Sequence, residues 1–299
     1  MKTVSKVLKD QFGSKVLKLS LSAGCTCPNR DGTKGYGGCS FCTEGGSGEF
    51  ASAFTPLAEQ IREAKKKVDG KFPKDLAVEE RRYIAYFQPF TNTYGDQDRL
   101  KHLFQEALSY PEIVVLSIAT RPDCLSDEMV CFLSDLNQEK PVWVELGLQT
   151  IHERTAQDFG RGYTLDVFED AYRRLKEAGL TVIVHVILGL PGETREDMLE
   201  TIRYLAALSP TLDGIKIQML QILKGSRLAK TYEKEPFPLL SMDEYVELAS
   251  ECVRLLPEET VLHRLTGDPP WRLLIAPKWC TDKKRVWNRL RDLIGTDPE

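Results

Sequence analysis

From residue 16 onward the chain switches between two periodicities. Val16–Leu21 alternates apolar with polar positions, the two-residue period of a strand. Ser22 to about Gly48 has no period, is rich in glycine and holds four cysteines, so it reads as a long loop. Leu57, Ile61, Ala64 and Val68 then fall on one helical face. Beyond them the pattern predicts strands at 83–87, 113–119, 142–148, 180–188 and 214–220. Helices are predicted between them at 97–108, 127–136, 165–178 (closed by Gly179) and 195–208. Residues 113–119 are almost continuously apolar, as expected of a parallel strand covered on both faces. About six strands with intervening helices and right-handed crossovers predict an α/β fold. Its expected form is a curved parallel sheet, a partial (β/α)6 barrel with its site at the C-terminal ends of the strands. The pattern ends near Leu223, so residues 1–223 are read as the barrel and 224–299 as a C-terminal extension capping its mouth. That extension should hold a helix at Met242–Leu255, irregular chain through Pro277 and a basic helix at 282–293.

Composition narrows the functional classes. With 299 residues, of which 42% are hydrophobic, the chain can bury a sizeable core. A formal net charge of −4 argues against coating nucleic acid by bulk charge, while leaving room for a local basic patch. No apolar run reaches the length of a membrane span, and the N-terminus lacks the apolar core of a signal peptide, so a cytoplasmic protein is expected. Eight cysteines then read as thiolates for metal rather than as disulfides.

Cys27, Cys39 and Cys42 follow the first long strand with the spacing Cys-x11-Cys-x2-Cys. Thiolates suit iron–sulfur clusters and zinc alike. A structural zinc would want a fourth ligand. Cys25 could supply one, although a single residue between it and Cys27 makes a poor chelate. A [4Fe–4S] cluster on three thiolates leaves one iron open to the amino and carboxylate groups of S-adenosylmethionine (SAM), whose reductive cleavage yields a 5′-deoxyadenosyl radical. Phe41 precedes the last cysteine and can lean over the cluster and the adenine. The loop glycines let backbone N–H groups approach sulfur.

The stretches CPNRDGT, GGCSFC, YFQPFTNT, ATRPDCL, WVELGLQT, GLPGET, GIKIQMLQILKGS and HRLTGD lie between residues 17 and 280. Through them the chain resembles the radical SAM superfamily, in the branch related to the Elongator catalytic subunit, and more closely the YhcC/YtqA-like family. Cys25 departs from that family, where an aromatic is usual, and is read as a small core residue or accessory thiol. The resemblance implies a [4Fe–4S] cluster on Cys27, Cys39 and Cys42, and SAM.

Expected SAM contacts follow. Arg161 stands where related enzymes carry an arginine for the SAM carboxylate; a solvated surface arginine is the alternative. Glu145 would be costly in a buried strand without a partner, which argues for a ligand role against a structural ion pair, and Gln149 ends the same strand. Gln88, Thr91 and Asn92 occupy the region where the superfamily handles the methionine amine. His185 lies in an apolar strand and is either a core histidine or a site residue, and Gly189 would permit close approach of the adenine. Cys131 and Cys252 read as buried packing within helices, while Cys124 and Cys280 have no spacing that assigns them a role.

Substrate residues are expected from Arg121 and Asp123 after the third strand, and from His263, Arg264 and Asp268. The basic C-terminal helix, with Trp271, Trp279 and Trp287 nearby, could contact phosphates and stack a base, or could be an ordinary charged helix. The resemblance implies action on wobble uridine in the tRNA anticodon loop, converting 5-carboxymethylaminomethyl-uridine (or its 2-thio form) to 5-aminomethyl-uridine. It further implies an electron donor such as flavodoxin or ferredoxin. A radical enzyme for a small metabolite and a zinc-bound RNA-binding module remain alternatives.

Overall fold

The computed structural model describes residues 2–46 and 48–295, so Ser47 of the cysteine loop lies outside it. In chain order the barrel half comprises β1 (Lys2–Thr3), α1 (Val4–Phe12), β2 (Val16–Leu21), α2 (Leu57–Val68), β3 (Arg82–Phe87), α3 (Gln97–Ser109), β4 (Ile113–Thr120), α4 (Asp127–Asn137), β5 (Val142–Gln149), α5 (Glu153–Phe159), α6 (Leu165–Glu177), β6 (Thr181–Leu188), α7 (Arg195–Ala206) and β7 (Gly214–Met219). The remainder holds β8 (Ile222–Leu223), α8 (Arg227–Lys234), α9 (Met242–Leu255), β9 (Val261–Arg264), β10 (Leu274–Ala276) and α10 (Lys283–Ile294). The six expected strands pair in parallel as β2 to β7, giving the curled half barrel that the alternation predicts.

The sheet does not stop at six strands. The segment after Leu223, expected only to cap the mouth, also places β9 beside β7, and β1 pairs in turn with β9. The eight-stranded order is β1-β9-β7-β6-β5-β4-β3-β2. Since β1 and β2 form opposite edges, α1 must cross from one edge of the curl to the other. These short elements escape sequence reading because β1 has two residues and β9 four, too few for a period to register.

Strand alternation sets two different environments. Leu19, Leu21, Ala85, Phe87, Leu116, Val144, Val184 and Ile215 face outward into the main core beneath the helices. On the inner face, Ile84, Val115, Trp143 and Ile183 form a separate apolar layer with Val4 and Leu8 of α1. The helix therefore plugs one end of the half barrel. Helices α7 and α9 begin at full capping boxes, Thr194 with Asp197 and Ser241 with Glu244.

Leu8 is fully packed in the plug. Leu8→Ala is expected to lower unfolding stability by about 2–5 kcal/mol, measured by urea denaturation, while leaving iron content per folded molecule unchanged.

Candidate active site

The cysteine loop is irregular chain held in place by partners from the rest of the molecule. The Ser40 N–H donates to the Phe159 carbonyl (2.7 Å), and the Leu228 N–H donates to the Ser40 carbonyl (2.7 Å). Arg227 donates to the Gly38 carbonyl at 2.6 Å. Lys34 forms an ion pair with Asp123 at 2.7 Å. Asn29, a residue that sequence reasoning passed over, joins the loop to the turn after α5. Its Nδ2 donates to the carbonyls of Gly160 (2.7 Å) and Arg161 (3.0 Å) and lies 3.7 Å from Cys39 Sγ. Gly162 has φ of +77°, and a Cβ there would stand 2.6 Å from Asn29 Oδ1, so this approach requires glycine.

Cys27, Cys39 and Cys42 face one another across this frame. The Cys39 thiol is pushed well above its ordinary value, first by its hydrogen bond with Cys42, then by burial and by the nearby Cys42 and Cys27; Arg121 opposes the shift. Such a set ionises when a metal takes up its sulfurs. Among the described residues, a carboxylate-bearing group also brings three possible ligand atoms within 4.8 Å, namely His152, Asp197 and Glu200, but it carries no sulfur. A structural zinc would want a fourth ligand beside the three thiolates. Cys25 turns elsewhere, toward the Ala23 carbonyl and Arg99 Nη2, each at 3.9 Å. The donor set thus fits a multi-iron cluster with three protein thiolates better than a four-coordinate zinc.

Several expected SAM residues are built into the walls. Asn92 clamps two strands, its Nδ2 donating to the carbonyls of Phe87 (3.0 Å) and Ala119 (2.8 Å). Its Oδ1 is buried without a partner among the described residues. The Thr91 N–H donates to the Thr26 carbonyl, tying the β3 loop to the cysteine loop. Gln88 lines the interior cavity. Gln149 takes a φ of +66°, and its amide folds over the bare Cα of Gly147. Arg161 is not a surface arginine: it is 1% exposed. It donates to the carbonyls of Tyr163 (2.9 Å) and Thr150 (2.8 Å) and to Glu153 (2.8 Å), so its guanidinium is engaged beneath the loop. The Gly189 N–H points at Met198 Sδ (3.0 Å), and its Cα packs against Leu240.

Arg121 and Asp123 form a two-bond ion pair, both at 2.9 Å. The same arginine donates to the Arg161 carbonyl (2.8 Å). It stands close enough to Cys27 and Cys39 to act on their charge. The pair lies beside the cysteines and braces the loop through Lys34.

The inner face above the apolar plug is charged. Glu145 is 1% exposed. It accepts from Ser117 (2.8 Å) and His185 (2.7 Å), pairs with Lys216, and lies 3.9 Å from Lys18. Burial would raise the Glu145 carboxyl, but Lys216, Lys18 and the His185 bond outweigh it and hold it well below its ordinary value. Burial, reinforced by Lys216, brings His185 down to about 4 and so keeps it neutral. Lys216 also reaches the Tyr86 hydroxyl at 3.3 Å. A bulge in the β7–β9 register pairs Lys216 with Arg264 after Ile215 with Leu262. His263 packs edge-on to Trp143 at 5.0 Å, its Nδ1 buried without a partner among the described residues. A Cβ on Gly214 would stand 2.8 Å from the His263 ring. Asp268, by contrast, is exposed and paired with Lys283 at 3.0 Å.

A cavity of about 940 Å³ joins these parts, with Phe41 beside Cys42 at one end and Lys18, Tyr86, His263 and Arg264 along its wall. Comparisons with known proteins agree with this architecture. Residues 26–205 match the Radical SAM superfamily, and residues 212–294 match the Radical_SAM C-terminal domain. The chain belongs to the radical SAM superfamily. It is 42% identical to YtqA of Bacillus subtilis over 95% of this chain and 86% of that protein. It is 36% identical to YhcC of Escherichia coli K12, over 92% of this chain and 86% of that protein. These relatives place it in the YhcC/YtqA family. Elongator complex protein 3 of mouse is 26% identical over 56% of this chain and 30% of its own length. The fold of Elp3 from Methanocaldococcus infernus superposes with a TM-score of 0.66 at 18% identity, covering 93% of this chain and 63% of that one. This radical SAM enzyme therefore uses a [4Fe–4S] cluster and SAM as its cofactors. No described helix is long and apolar enough to cross a membrane.

Cys252 is buried as expected, but Cys131 is exposed, since it falls on the outer side of α4. Trp279 packs on Tyr245 and Trp287 donates to Thr266, so neither is placed for stacking; Trp271 stands 71% exposed. Sequence reasoning also passed over Lys18, Tyr86, Ser117 and Lys216. A lone lysine between Ile215 and Ile217 was a readable sign of an inward charge.

Lys216→Met should destabilise the radical SAM enzyme by about 3–5 kcal/mol in urea unfolding, because Glu145 loses its main partner. Adding Glu145→Gln should recover part of that loss. Since the folded Glu145 carboxyl lies below its ordinary 4.5, its contribution is present above pH 4.5 and is lost as pH falls through the folded value. The Glu145→Gln variant should accordingly show a flatter acid limb.

Proposed function

We propose that this enzyme acts on the wobble uridine of tRNA, converting 5-carboxymethylaminomethyl-uridine, or its 2-thio form, to 5-aminomethyl-uridine. The observation that carries this reading is the cavity. It runs from Phe41 in the cysteine loop to a basic inner wall, and exposed Phe50 and Trp271 stand at its rim. Exposed aromatics can stack a base swung out of a loop, and Lys67, Lys71 and Lys283 elsewhere along the same cavity suit phosphates. The likeness to Elongator complex protein 3 supports the choice of nucleotide.

In this proposal Cys27, Cys39 and Cys42 hold the cluster, with one iron left for SAM. Asn92 Oδ1 is the acceptor for the methionine amine, with Gln88 and Thr91 beside it. Arg161 and Arg121 act through the loop they brace. When bound, the cluster and SAM would supply a 5′-deoxyadenosyl radical able to take a hydrogen atom from the methylene between the side-chain amine and its carboxylate. Loss of one electron and one proton from the substrate radical gives an imine. Water then breaks the C–N bond, releasing aminomethyl-uridine and glyoxylate. The electron released balances the one spent on cleaving SAM.

The test is anaerobic reconstitution with SAM, a reductant and tRNA carrying the carboxymethylaminomethyl group, read by nucleoside mass spectrometry. Aminomethyl-uridine and one 5′-deoxyadenosine per turnover are expected. SAM cleavage over an unchanged nucleoside would remove the substrate assignment. Cys39→Ser should lose both iron and SAM cleavage.

A further inference from the structure

The inner layer of the half barrel is rich in basic groups. Lys18, Lys216 and Arg264 gather around one carboxylate, Glu145, with which Lys216 and Lys18 pair. His185 and His263 are held neutral by burial, and burial together with Glu145 keeps Tyr86 protonated. The other acids on the cavity wall are engaged elsewhere: Asp268 is exposed and paired with Lys283, and Glu49 lies near Gly45 of the cysteine loop. The Arg264 side chain is half buried and forms no hydrogen bond or ion pair with another described side chain. Its planar guanidinium fork is thus open to an anion and suits a carboxylate. The bulge opposite Lys216 is what brings Arg264 to this wall directly after His263.

We infer that Arg264, with Lys18 across the opening between β9 and β2, forms an anion subsite that takes the carboxylate of the substrate side chain. This rests on the wobble-uridine reading for the identity of the substrate, though not for the existence of the subsite. The cavity that holds Arg264 also reaches Phe41. A side chain anchored by its terminal carboxylate therefore has its methylene on the path between the basic wall and the cysteine loop. Selectivity follows: a uridine bearing an uncharged or cationic side chain lacks the anchoring group.

Two measurements on the reconstituted holoenzyme test this. The first compares binding of tRNA carrying carboxymethylaminomethyl-uridine with tRNA carrying aminomethyl-uridine, for wild type, Arg264→Gln and Arg264→Lys. Wild type should prefer the carboxylate form by about 10- to 100-fold. Arg264→Gln should lose that preference while binding the aminomethyl form within about twofold of wild type, and Arg264→Lys should restore part of it. Equal weakening toward both tRNAs would overturn the subsite in favour of a phosphate contact. The second measurement follows modification of Arg264 by phenylglyoxal using mass spectrometry, with N-methylglycine or methylamine as competitor. N-methylglycine should protect Arg264, and less so in Lys18→Met; methylamine should not. Absence of protection overturns the subsite. Protection together with no conversion of the modified tRNA would keep the subsite and reject the uridine reading, whereas conversion without protection or preference would do the reverse.

Discussion

The structure depends on one buried carboxylate. Glu145 sits on the inner face of β5, out of reach of water, and collects Ser117, His185, Lys216 and Lys18 from four other strands. An ionised group in such a place is tolerable only when it is fully partnered. Its partners come from β4, β6, β7 and β2, so the curl that brings those strands around it is also what satisfies it. The apolar plug of Val4, Leu8, Trp143 and Ile183 closes one side of this layer, and the cavity opens on the other.

The cysteine loop shows the complementary strategy. It has little regular structure, and its shape comes from bonds to α5, α8, the β3 loop and the turn after β4. Asn29, Lys34, Arg121 and Arg161 act together as a scaffold, each with polar groups committed to the backbone or to an opposite charge. Arg121 has a double use, since it braces the loop and places positive charge beside Cys27 and Cys39. Positive charge near cluster sulfurs favours the more negative, reduced state, and this links loop architecture to redox behaviour.

The sequence made the main architecture readable where periods were long. The apolar runs of β4, β5 and β6 and the helices between them give the half barrel directly, and the thiol spacing pointed to the cluster loop. What escaped was of two kinds. Short strands such as β1 and β9 carry no period, and only pairing with distant neighbours makes them strands. Contacts set by tertiary structure also escaped: nothing in the sequence shows that Tyr163, Thr150 and Glu153 surround the Arg161 guanidinium. Conversely, Lys216 broke an otherwise apolar strand, a visible local conflict whose meaning required knowing that the strands curl around Glu145.

The pairing of Lys2 with Val261 and Thr3 with Leu262 has a consequence for biosynthesis. A ribosome releases the first strand long before its partner exists, so the N-terminal helix cannot be locked across the opening until most of the polypeptide has been made. Val4 and Leu8 can meet Ile84, Val115, Trp143 and Ile183 earlier, but the strand that precedes them stays unpaired until β9 emerges. The arrival of β9 then in one event completes the wall, secures the plug and delivers Arg264 to the interior.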